Sequence, residues 1–145
     1  MDYTNKINDL LRALTVYLNQ PSVKLGPDSK ASIVIGHCKI IFSFSECGEY
    51  LLSQAPITYL PTDQRRGHLL RQLAASNYHS SGAGGLLGLE MATGLIWLTC
   101  RYRIDRQKPE IFLKNMAIQT GLAEYWLKTI TAPPEEECEP ILSTF

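Results

Sequence analysis

The segment Asn77–Glu90 reads NYHSSGAGGLLGLE, and its glycines stand where the hydrophobic period of the chain changes. Upstream, LPTDQRRGHLLRQLAASNY carries Leu69, Leu70, Leu73 and Ala74 at helical spacing, with Thr62 or Asp63 available as a cap. Downstream, LLGLEM and LIWLTCRYRID, separated by ATG, read as a hairpin. Ile96, Leu98, Cys100, Tyr102 and Ile104 fall on one side of its second strand and should face a core. Leu95, Trp97, Thr99, Arg101 and Arg103 fall on the other. The order is therefore helix, glycines, strand.

That order argues against a phosphate cradle, which lies between a strand and the N-terminus of a following helix. A Walker loop needs GxxxxGK[ST], and no lysine occurs between Lys39 and Lys108. A dinucleotide loop needs GxGxxG; after Gly82 and Gly84 the third position is Leu87, and the next glycine is Gly88. HSSG contains no GxSxG elbow, and His79 is too close in sequence to Ser80 and Ser81 to act easily as their base. The simpler reading is conformational: Gly82 supplies a positive φ that ends the helix, and the next glycines turn the chain into a strand.

Working outward, YTNKINDLLRALTVYLNQP predicts an N-terminal helix with Ile7, Leu10, Leu11, Leu14 and Leu18 on one face. Thr4 or Asn5 is the expected cap, and Pro21 lies just beyond the end. SIVIG, CKIIFSFSE and EYLLSQAPI then predict three short antiparallel strands. In the second of these, Cys38, Ile40, Phe42 and Phe44 share a face opposite Lys39, Ile41 and Ser43. After the late hairpin, Pro109 opens a last helix whose apolar stripe is Phe112, Met116, Ala123, Trp126, Leu127 and Ile130, with Gly121 as a weak point. Pro133-Pro134 ends it. The expected fold is a single α+β domain, α-β-β-β-α-β-β-α, with a twisted antiparallel sheet flanked by helices.

The chain has 145 residues, of which 45% are hydrophobic, enough for one domain with a real core. No run approaches the ~20 apolar residues of a membrane span, and the N-terminus has no signal-peptide pattern, so a cytoplasmic protein is expected. Cys38, Cys47, Cys100 and Cys138 form no CxxC pair, so neither a zinc ribbon nor a redox motif is expected. His37, His68 and His79 lack metal-ligand spacing. No metal and no cofactor is expected.

The formal net charge is zero, with 14 basic and 14 acidic residues. Residues 133–145, PPEEECEPILSTF, hold four glutamates and no Lys or Arg, which leaves residues 1–132 net basic. The domain is expected to span 1–132, followed by an acidic, Pro-containing, poorly ordered tail. Arg65, Arg66, Arg71, Arg101 and Arg103 could form a basic patch, but no nucleic-acid-binding signature accompanies them. Trp97, large and aromatic on a half-polar face, is an interface anchor or lies under a helix.

The stretch APITYLPTDQRRGHLLRQLAASNYHSSGAGGLLGLEMATGLIWLTCRYRI resembles the class I type III secretion chaperones, the family of the Tir chaperone. It matches that family's strand, LP turn, LLRxLLxAN-like helix, GxGG loop, LGL strand and GxLxL strand, and the flanking helices also fit. The chain departs from the family in its net basic body. The resemblance implies a homodimer in the cytoplasm of a Gram-negative bacterium that is not an enzyme. Its implied partners are one or more secreted effectors, whose N-terminal region it keeps extended and soluble, and the secretion ATPase. It implies no nucleic acid and no membrane insertion. It places the dimer interface at Leu69, Leu70, Leu73, Leu95 and Trp97, and effector binding at Ile33, Ile35, Ile41, Phe42, Phe44 and Leu51. The alternatives are a small enzyme using the Gly-rich loop and His79, and a nucleic-acid adaptor using Arg65, Arg66, Arg101 and Arg103.

Overall fold

The computed structural model describes residues 3–44, 49–80 and 85–133. Its elements run α1 (Thr4–Tyr17), β1 (Lys30–Ile35), β2 (Cys38–Phe44), β3 (Tyr50–Tyr59), α2 (Arg66–Ser80), β4 (Leu86–Glu90), β5 (Leu95–Arg103), a short 3-10 turn (Ile104–Arg106) and α3 (Pro109–Thr131). The expected element order holds. The five strands form one sheet in the order β1-β2-β3-β5-β4, with every pairing antiparallel.

The two-residue turn at Gly36-His37 fixes the β1–β2 register, pairing Ile35 with Cys38 and Ile33 with Ile40. Gly36 has φ +62°, which a glycine tolerates without strain. β3 is the central strand and contains Pro56, which has no N–H to donate. Its pairing with β2 covers only Leu51–Gln54, so Pro56 lies where β3 has no β2 neighbour. The register with β5 shifts between Pro56 and Thr58.

Alternation decides the core. Ile33, Ile40, Phe42, Leu51, Ala55, Ile96, Leu98 and Cys100 point to one face and are buried. α3 crosses that face against β2 and β3, and α1 packs on α3. Ile7, Leu10, Leu11 and Leu14 of α1 and Phe112, Met116, Ala123, Trp126 and Ile130 of α3 complete the cluster. The Phe42 and Phe112 rings meet with centroids 6.0 Å apart. Burying each such side chain contributes roughly 1.5–3 kcal/mol.

Three local expectations change. The cap of α1 is Tyr3, with no side-chain cap bond, in place of Thr4 or Asn5. α2 starts at Arg66; Asp63 acts earlier, its Oδ1 accepting the Arg65 N–H at 2.9 Å and its carbonyl accepting the Arg66 N–H at 3.1 Å. Leu127 is 39% exposed, while the polar Gln119 and Thr120 are buried in the α3 stripe. Pro109 does open α3.

Gln119 is buried without cost because its amide is paired. Its Nε2 donates to the Ser53 carbonyl at 2.9 Å, and its Oε1 accepts from the Ser53 hydroxyl at 2.6 Å and the Tyr102 hydroxyl at 3.1 Å. Burial pushes the Tyr102 hydroxyl well above the usual phenol range, so it stays protonated and a donor.

Of the loop glycines, Gly82 and Gly84 lie outside the described residues. Gly85 shows a concrete need for glycine: its φ is +88°, and a Cβ there would sit 2.5 Å from the Cys100 sulfur and 2.8 Å from the Thr99 carbonyl oxygen. The expectation of a poorly ordered tail falls on residues 134–145, outside the described residues, as do Cys47, Ser81 and Cys138. Cys38 and Cys100 are buried, and burial raises both thiol pKa values.

Candidate functional site

α1 and α3 cover one face of the sheet, and the residues of the other face alternate with the buried set. They include Ser32 and Val34 of β1, Lys39 and Ile41 of β2, Leu52 and Gln54 of β3, Trp97, Thr99 and Arg101 of β5, and Gly88 of β4. None of these is buried. The face mixes apolar and polar side chains. Arg101 lies over the Tyr50 ring at 4.3 Å, and the Trp97 indole N–H donates to Glu90 at 3.1 Å. Gln54 reaches Thr99 at 3.4 Å.

The two edges of this sheet are finished differently. At β4, the Asn77 side chain from α2 makes both bonds that a neighbouring strand would make. Its Nδ2 donates to the Leu87 carbonyl at 2.7 Å, and its Oδ1 accepts the Leu87 N–H at 2.8 Å. At β1, the residues whose backbone points outward are Lys30, Ser32 and Val34, since Ile35 and Cys38 close the two-residue hairpin as a bonded pair. The Lys30 carbonyl accepts from Gly26 N–H at 2.8 Å, and the Val34 carbonyl accepts from the Gln20 side chain at 2.7 Å. The outward groups of Ser32, itself exposed, lie between those two contacts and present a short strand-pairing template.

The residues proposed for effector contact separate into two groups. Ile33, Phe42 and Leu51 are 3%, 0% and 0% exposed; they face α1 and α3 and build the core, which corrects their reading as contact residues. Ile35 and Phe44 lie on the same covered face, half-buried at strand ends against the core. Ile41 lies on the uncovered face. Val34, 51% exposed beside it, and Leu52 were missed, because alternation alone does not reveal which face the helices cover.

The interface set also divides. Leu69 and Leu73 are buried in the protomer's own core at 5% and 6%, a correction to their reading as partner contacts. The outward face of α2 instead presents Leu70, Ala74 and Tyr78, four residues apart, with Leu70 37% and Tyr78 82% exposed. Leu95 and Trp97 are half-buried on the uncovered sheet face.

The other constellations are dispersed. His79 lies in the last turn of α2. Arg65 is tied to Asp63 at 2.9 Å and Arg103 to Asp105 at 3.2 Å, while Arg101 stacks on Tyr50. The Arg65 guanidinium holds the Asp63 carboxyl below the usual carboxylate range. Among the described residues no group of three His, Cys, Asp or Glu side chains could hold a metal ion, and no helix is long and apolar enough to cross a membrane.

The fold as a whole recurs in known proteins. The model of the Tir chaperone protein (CesT) family matches residues 9–127. The chain belongs to this family. It is a type III secretion chaperone of the effector-binding kind. Solved structures share the fold. One is the ExsC-ExsE complex, with TM-score 0.78, 24% identity, 92% of this chain and 100% of that chain covered. A second is the HopA1-SchA chaperone-effector complex, with TM-score 0.72, 18% identity, 88% and 98% covered. A third is the Yersinia pestis type III secretion chaperone SycH with a stable fragment of YscM2, with TM-score 0.66, 13% identity, 86% and 98% covered. No curated protein matches the sequence significantly.

Proposed function

We propose that this chaperone works in the bacterial cytosol as a homodimer without catalytic activity, and that it holds the N-terminal segment of a secreted effector extended along the β1 edge and the adjoining uncovered face. The observation that carries this reading is the open stretch of β1 at Ser32, bounded by Gly26 and Gln20. An extended segment pairing there gains backbone hydrogen bonds, and its alternate side chains fall beside Val34, Ile41 and Leu52. Ile35 and Phe44, half-buried at the strand ends, offer further apolar contact. The HopA1-SchA chaperone-effector complex and the ExsC-ExsE complex contain proteins of this fold, which supports a protein ligand.

Self-association uses the outward face of α2, at Leu70, Ala74 and Tyr78, flanked by Leu95 and Trp97. Two-fold symmetry would bring two α2 helices together and leave both β1 edges clear. We further propose delivery of the loaded effector to the secretion ATPase, a step that family membership supports.

The test is co-purification from the native host with the tagged protein, followed by truncation of whatever secreted protein is retained. The expected result is retention through the N-terminal part and its loss on Ile41→Asp with the dimer intact. If nothing secreted is retained, or if retention needs only a C-terminal part, the reading fails.

A further inference from the structure

A second recess lies away from the sheet edges, between the start of α2 and the last turns of α3. It has a volume of about 510 Å³. Arg65, His68 and Lys128 line it together with the apolar surfaces of Tyr125 and Ile130, and Pro133 forms part of its wall. Among the described residues no Asp or Glu lines it. Asp63 pairs with Arg65, and Lys128 and His68 are the other basic side chains lining the recess.

The chain leaves α3 into this recess. Ala132, at φ −60° and ψ 138°, is extended in the polyproline manner, as expected before a proline. Arg65 holds that exit in place, its Nη1 donating to the Ala132 carbonyl at 2.8 Å. The next residues are Pro134, Glu135, Glu136, Glu137, Cys138 and Glu139. Glu135 is two residues past Pro133, so it starts within about 7 Å of the recess. A segment tethered this closely has an effective concentration on the order of millimolar or more at the recess.

We propose that this recess is the docking site of the chain's own acidic tail, with the glutamates of 135–139 set against Lys128 and His68. The tether and the absence of acidic lining residues favour this occupant over a separate partner.

Cys138 is a native reporter within the tail. In the full chain carrying Cys47→Ser, with Cys38 and Cys100 buried, a thiol is placed in the recess by Gln72→Cys or, as a control, on the β1 edge by Ser32→Cys. Under mild oxidation with diamide, the Gln72→Cys chain should form an intramolecular disulfide with Cys138 at least tenfold faster than the control. Lys128→Glu, or raising NaCl from 50 to about 500 mM, should slow that reaction severalfold, since screening weakens exposed charge pairs. A spin label on Cys138 in a chain with neither added thiol should be immobilised at low salt and released by Lys128→Glu. Equal rates at the two positions, cross-links formed mainly between chains, or a freely tumbling label at low salt would overturn the proposal.

Discussion

The two edges of the sheet pose the same physical problem and receive opposite treatment. Each ends the ladder with outward backbone donors and acceptors, which invite another strand. At β4 the problem is closed from within: one asparagine supplies both a donor and an acceptor to Leu87. At β1 the ends are engaged and the middle is not closed in the same way: Lys30 donates its N–H to Asp28 and accepts from Gly26, and the Val34 carbonyl accepts from Gln20, just past the end of α1. The lesson is that a protein built to hold an extended segment must suppress strand pairing where it is unwanted while leaving it available elsewhere.

Removing the β4 plug should break this contrast most severely. Asn77→Ala leaves the Leu87 N–H and carbonyl without their protein partners, so unfolding free energy should fall by about 1–3 kcal/mol. Chemical denaturation should show a lower midpoint at an unchanged slope, and the variant should aggregate more readily through the bared edge. Asn77→Asp, which keeps an acceptor but loses the amide donor, should fall between the two.

Blocking β1 sharpens the contrast from the other side. Ser32→Pro removes an outward N–H at an edge, where proline is tolerated, so the melting temperature should move little. Capture of the secreted protein should weaken at least tenfold, which is about 1.4 kcal/mol. A Ser32→Pro protein that captures normally would place the effector elsewhere.

α2 carries the plug at Asn77 and, two turns earlier, Leu70, so single substitutions test sealing and assembly separately. Leu70→Asp should halve the mass in sedimentation equilibrium while the protomer stays folded. Leu73→Asp, buried at 6%, should instead unfold the protomer. The smallest effect is expected at Gln20. Its bond to Val34 is exposed, so Gln20→Ala should cost no more than about 0.5–1 kcal/mol in thermal or chemical unfolding, and effector capture should hold or improve slightly because the amide no longer competes for Val34.

Much of the fold was legible because strict alternation is a strong signal. Ile96, Leu98 and Cys100 face the core as their spacing predicts, and so do Cys38, Ile40 and Phe42. The candidate site was less legible for a physical reason. Ile33 and Phe42 look as sticky as Val34 and Ile41, and only the placement of α1 and α3 decides which set is consumed by the core. On α2, Leu69 and Leu70 are adjacent, and a shift of one residue turns the helix by about 100°, enough to exchange a core contact for a surface one. Asn77 could not be read as an edge plug, since its partner lies ten residues later across the glycine-rich loop. Nothing in the spacing of Gln119 and Ser53, 66 residues apart, pairs them; only the fold brings them together.

That last pair has a mechanical consequence. Greasy contacts between a helix and a sheet are interchangeable, so α3 could slide along its axis and trade one set of aliphatic neighbours for another at little expense. The amide of Gln119 works as a detent. One turn of slippage, about 5.4 Å, would draw it out of reach of Ser53 and Tyr102 and strand three polar groups in a dry interior. The long helix is thereby indexed to a single notch on the sheet, and its far end at Ala132 arrives where Arg65 is waiting for it.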